Sequence, residues 1–133
     1  MNVRKNILLL PIFLLLFGCP SDGDMITPEE NVTYEVILFE FTPDTGNNTS
    51  RLRYEIKFSN LNNTAINGFH RITIKTTANG VSIESSNIAT DSSPCYLIEA
   101  NSDCTINFDE EQSFDIGMVN SIELVNVEYN FVN

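Results

Sequence analysis

Eight residues constrain this chain more than any others: Arg51-Leu52-Arg53-Tyr54-Glu55-Ile56-Lys57-Phe58. Apolar and charged side chains alternate without a break. Successive side chains of an extended strand point to opposite faces, so Leu52, Tyr54, Ile56 and Phe58 share one face and the charges share the other. That pattern predicts an antiparallel strand with one face on a core and one in water. A helix would scatter the same residues around its circumference.

The rest of the chain keeps the two-residue period. Residues 69–77 alternate likewise, with Ile72 and Ile74 inward and Arg71, Thr73 and Lys75 outward. Residues 81–88 follow an Ala78-Asn79-Gly80 turn, whose Asn-Gly step favours a hairpin. Residues 95–100 and 104–109 flank the polar turn Asn101-Ser102-Asp103. Residues 33–41 and 121–132 complete the set, but each changes apolar phase partway. The first shifts near Val36-Ile37, and the last shifts between Leu124 and Val125. A strand that bulges, or that crosses between sheets, produces such a shift. About seven strands separated by Asn/Gly/Ser/Thr loops predict an all-β, antiparallel β-sandwich. A small closed barrel is the alternative. The expected core is Leu52, Tyr54, Ile56, Phe58, Ile72, Ile74, Ile106, Phe108, Val125, Val127 and Phe131.

The start of the chain reads differently. Arg4 and Lys5 precede an apolar run from Ile7 to Phe17, about half of the roughly 20 residues that a spanning helix needs. A charged head and a run of this length predict a secretory signal over residues 1–18. General cleavage wants small residues one and three places before the cut, and Leu16 is not small. Leu16-Phe17-Gly18-Cys19 instead resembles the lipobox of bacterial lipoproteins, with Phe17 in a place usually held by a small residue. Pro20-Ser21-Asp22-Gly23-Asp24 is similar to the stretch that marks surface export in Bacteroidota lipoproteins. The resemblance implies a lipidated Cys19 and a lipid-anchored outer-membrane protein displayed at the cell surface. Residues 19–31 then form the lipidated Cys and a flexible acidic tether, rich in Pro and acids, and residues 32–133 form the sandwich domain.

Cysteine arithmetic agrees with that division. Three Cys in an exported chain leave one odd thiol. With Cys19 lipidated, Cys95 and Cys104 remain, and an oxidising compartment makes a disulfide between them the default.

Residues 52–132 also resemble the immunoglobulin-like modules of bacterial surface proteins. The resemblance is carried by Phe58-Ser59-Asn60-Leu61-Asn62-Asn63 and by the Cys95-x-Leu97…Cys104-Thr105-Ile106-x-Phe108 pattern. The chain departs from those modules in lacking a Pro-Gly turn, a Pro after the Phe, and any Trp. The likeness implies an immunoglobulin-like fold and no particular activity.

Charge and residue supply narrow the function classes. The formal charge is −11 and the pI about 4.2, which disfavours nucleic acid and electrostatic docking on anionic membranes. Loss of residues 1–18 removes Arg4, Lys5 and no acid, leaving five basic against 18 acidic side chains, a formal −13. All five lie between Arg51 and Lys75, where neighbouring carboxylates are expected to neutralise them. The lone histidine, His70, shares the parity of Ile72 and Ile74 and reads as a residue of the sandwich rim rather than a base. One His and a disulfide pair make no zinc set, no phosphate loop occurs, and no cofactor is expected. Asp109, Glu110, Glu111 and Asp115 are the weak candidates for a calcium site. Tyr34, Tyr96 and Phe114 are the weak candidates for an aromatic glycan platform, whereas Tyr54 and Tyr129 fall on apolar faces. The sequence therefore points to a non-enzymatic module anchored to the membrane through Cys19, with an envelope protein as its partner. Glycan binding is the alternative.

Overall fold

The computed structural model describes residues 31–115 and 117–132. The expected signal of residues 1–18, Cys19 and the tether up to residue 30 lie outside the described residues. Seven strands are present: β1 (Val32–Thr42), β2 (Thr49–Asn60), β3 (Ile66–Ala78), β4 (Val81–Ile88), β5 (Leu97–Ile98), β6 (Ser102–Ser113) and β7 (Ser121–Phe131). They form two antiparallel sheets, β1-β2-β6 and one in which β3 carries β4 and β5 on one side and β7 on the other. The chain is thus an all-β, two-sheet sandwich, and the closed-barrel alternative is set aside.

Local chemistry sets the turns. Asn79 and Gly80 both take positive φ, 50° and 78°, the conformation a two-residue hairpin needs to match strand twist. Both phase shifts are bulges. The β1–β2 register slips between Val36 and Leu38. The β3–β7 register slips opposite Thr73 and Ile74, where Val125 is the extra residue. Each bulge turns the rest of its strand over, so Phe39 faces Tyr54 and Leu124 faces Ile74.

Tyr54, Ile56, Phe58, Ile72, Cys95, Ile98, Ile106 and Val127 form the buried cluster, with Leu52, Ile74 and Phe108 packed against it. Ile56 and Phe58 are essentially sealed, at 0% and 1% exposure, each contributing about 1.5–3 kcal/mol by burial. Two expected core residues sit elsewhere. Val125 is exposed because it is the bulged residue itself. Phe131 is half-buried and meets the edge of the Tyr129 ring instead of the central cluster.

The Cys95–Cys104 segment also differs from expectation. Only Leu97–Ile98 is strand, and it pairs with β3, whereas β6 pairs with β2. Cys95 and Cys104 are joined, with Cα atoms 5.6 Å apart, but the bond ties the two sheets together rather than closing a hairpin. Asn60 makes a second tie beside it. Its amide donates to the carbonyls of Thr64 (2.9 Å), Ile98 (3.1 Å) and Glu99 (3.0 Å), and its Oδ1 accepts from the backbone and side chain of Asn62.

Candidate functional site

All five described basic residues stand on the two central strands, β2 and β3, and each meets a carboxylate on a neighbouring strand. Arg53 pairs with Glu40, Lys57 with Glu35, Arg71 with Glu128 and Lys75 with Glu123. Arg51 grips Asp109 with two bonds, Nε to Oδ1 at 2.7 Å and Nη2 to Oδ2 at 2.6 Å, and comes to 4.0 Å from Glu111. The Asp109 carboxyl is accordingly held below the usual carboxylate range by its bonds to Arg51. Neutralisation within the sheets, the expected arrangement, is what the structure shows.

The calcium candidates are not brought together. Strand alternation puts Asp109 and Glu111 on the outer face of β6, with Arg51 between them, and Glu110 on the opposite face. Asp115 lies beyond the strand end. Among the described residues, no three His, Cys, Asp or Glu side chains gather as a metal cage.

The aromatic candidates are dispersed as well. Tyr34, opposite Phe58, is half-exposed at the mouth of a groove of about 370 Å³ between β1 and β7. Tyr96 packs against Phe69, ring centres 5.3 Å apart. Phe114 sits at the other end of the sandwich, its N–H bonded to the Asn48 carbonyl. Tyr54 is buried as expected, and its phenol is pushed up mainly by that burial. Tyr129 is half-buried and pushed up to about 12 by burial.

His70 shares the core face, as its parity predicts, but is buried rather than placed on the rim. Its ring stacks on Phe58 at 5.7 Å, and Nδ1 has no hydrogen-bond partner. Burial holds the imidazole below its ordinary range. Among the described residues no carboxylate orients it, which a general base of the Ser-His-acid kind requires.

The more distinctive feature is a seam between β4 and β6. β4 is an edge strand, paired only with β3 among the described residues. Its residues are exposed along the whole strand, although Val81 and Ile83 share the core-side face with Ser85 and Asn87. A hollow of about 300 Å³ lies between Ser85 and Asn87 of β4 and Leu52, Tyr54 and Phe108, and it adjoins a second, of about 340 Å³ between β6 and the start of β7, that shares Leu52, Ile74 and Phe108. The β4 and β6 edges that border the seam have no strand partner among the described residues. Sequence reading missed this site, because alternation marks Ile83 and Ile56 alike. The one signal available was charge: residues 81–115 contain eight acids and no Lys, Arg or His.

No family model, curated protein or solved structure matches this chain.

Proposed function

We propose that this chain is an exported lipoprotein whose immunoglobulin-like sandwich serves as a non-enzymatic protein-interaction module of the cell envelope. The observation that carries the interaction reading is the open seam with its exposed β4 edge. A sheet edge of this kind offers unpaired N–H and C=O groups to an extended partner, and the neighbouring hollow offers sites for alternate side chains. The strand order β1-β2-β6 opposite β4-β3-β7 supports the immunoglobulin-like description, with the central strand of each sheet, β2 or β3, partnering one strand distant in sequence.

Export and anchoring rest on the first residues and are supported by the paired cysteines. A disulfide between Cys95 and Cys104 suits an oxidising compartment. With that pair formed, Cys19 is the odd thiol that lipid would occupy. Acyl chains contribute about 0.8 kcal/mol per buried CH₂, so a doubly or triply acylated Cys19 holds the chain to the membrane durably. Fatty-acid labelling and intact mass are the test. Label that survives Cys19→Ala, or a mature chain beginning elsewhere, rejects the anchor. Protease shaving of intact cells then distinguishes surface display from the inner face of the outer membrane.

A second reading has one observation in its favour. Tyr34 stands half-exposed beside the β1–β7 groove, the placement a glycan-binding aromatic needs. A glycan array run with the protein and with Tyr34→Ala separates the readings. Sugar binding lost in the variant replaces the protein-interaction reading with the glycan one.

A further inference from the structure

We infer that the β4 edge receives an extended, Lys- or Arg-rich segment of a partner protein as an added strand. The inference rests on the protein-interaction reading and supplies the chemistry of the partner.

Comparison of the sheet edges singles out β4. A bulge at Ile37 interrupts β1, and a bulge at Val125 interrupts β7. Bulges twist an edge away from a would-be partner strand. The β6 edge carries Asp103, Asp109, Glu110 and Glu111 in its own ladder. β4 runs its full eight residues in unbroken register, as β6 does over its own length, but β4 has a single charge, Glu84.

The surroundings then select the occupant. Val81 and Ile83 are 62% and 65% exposed, on the same face as Ser85 and Asn87, which line the hollow floored by Leu52, Ile74 and Phe108. A strand added outside β4 would lay alternate apolar side chains along that surface. Its other side chains would meet Glu84, the one acid of β4, whose cross-strand neighbour Lys75 is engaged by Glu123. Of the eight acids in residues 81–115, only Asp109 and Glu111 have a cation, both from Arg51. Glu84, Asp91, Glu99, Asp103, Glu110 and Asp115 have no ion-pair partner among the described residues, and every described cation is already engaged. A second copy of this chain would bring the same negative edge against itself. A cationic strand supplies what the edge lacks, and such complementarity governs both encounter and register.

The test uses the full chain and a labelled peptide of about ten residues, alternating Val with Lys, beside a Val/Glu peptide of equal length. Anisotropy titrations near physiological salt, about 0.15 M, keep unspecific long-range attraction screened. The Lys peptide is expected to bind and to protect amides of residues 81–88 from hydrogen exchange, and the Glu peptide is expected not to. Ile83→Lys and Glu84→Lys should each weaken binding about tenfold or more. Neither replaced side chain is part of the core, so both variants should fold. Val36→Lys, on β1 in the other sheet, should leave binding within about twofold.

Binding that ignores Ile83→Lys and Glu84→Lys, without protection of residues 81–88, would show diffuse attraction and overturn the inference. So would protection of residues 81–88 that grows with chain concentration alone, since the occupant would then be a second copy. Absence of Lys-peptide binding, while a purified envelope protein binds at another surface, overturns the cationic strand and leaves the interaction reading standing. Sugar binding lost on Tyr34→Ala overturns the interaction reading itself.

Discussion

The Tyr129 ring lies over Gly68, and no other residue at position 68 leaves room for it. A Cβ there would fall against the ring edge and 2.6 Å from the Asn130 carbonyl oxygen. Crossing the glycine lets the Tyr129 hydroxyl donate to the carbonyls of Cys95 (3.0 Å) and Tyr96 (3.1 Å). One aromatic side chain from β7 thereby fixes the loop that holds the disulfide on the far side of β3.

Gly68→Ala should therefore destabilise the domain by about 1–3 kcal/mol through overpacking. Tyr129→Phe should cost about 1 kcal/mol, the worth of a part-buried hydrogen bond. Denaturant unfolding of Gly68→Ala, Tyr129→Ala and the double variant Gly68→Ala/Tyr129→Ala forms a cycle. A substantial coupling energy is expected. Strict additivity would show that the ring and the glycine do not constrain each other.

Asn60 should prove one of the most sensitive polar positions. Asn60→Ala leaves buried acceptors of Ile98 and neighbouring carbonyls without their donor, at a cost of about 1–3 kcal/mol or more. Asn60→Asp should be worse, because it faces those carbonyls with an acceptor. Urea melts measure both, and an Asp variant as stable as the parent would contradict the assigned orientation of the amide.

Loss of the disulfide should lower stability by about 2–3 kcal/mol, as expected for a closed loop of about ten residues. The double variant Cys95→Ser/Cys104→Ser isolates the effect from Cys19. Since the bond joins the two sheets, hydrogen exchange in its absence should rise first around β5 and the start of β6. Uniform acceleration across both sheets would argue against that local role.

His70 should give the domain a stability slope in mildly acidic solution. Burial lowers its folded pKa below the unfolded value, which is about 6.5. Between the two values the unfolded chain binds the extra proton, so stability rises with pH. The His70 contribution is whole above about pH 6.5 and is lost as pH falls toward the depressed folded value. His70→Phe keeps the stack on Phe58 and removes the titration. Its unfolding free energy, measured from about pH 7 to 5, should fall less steeply than that of the parent. Parallel curves would mean that His70 stays solvated in the folded chain.

Much of the architecture was legible from side-chain parity. Leu52 to Phe58 announced β2, Asn79-Gly80 announced the hairpin, and the phase changes at Val36-Ile37 and Leu124-Val125 announced the bulges. Each is a local property, set by chain stereochemistry within a few residues. The errors share the opposite character. Val125 has an apolar side chain but occupies the extra position of a bulge. Cys95 and Cys104 flank a turn, yet the strand after Cys95 and the strand that holds Cys104 join different sheets. Asp109, Glu110 and Glu111 are adjacent in sequence, but a strand sends neighbours to opposite faces.

What the sequence by itself determined is the type of structure and the supply of its chemistry: extended strands with one apolar face, an even cysteine pair after Cys19, every cation beyond Lys5 within residues 51–75, and acids without cations over residues 81–115. The tertiary structure alone decided which apolar faces are covered. Ile56 and Ile83 stand at equivalent points of the same alternation, yet one is sealed and the other is 65% exposed. The difference is position: β2 is the central strand of its sheet, between β1 and β6, whereas β4 is an edge strand exposed along its length. Burial depends on what another part of the chain brings opposite, and no periodicity within one strand encodes it.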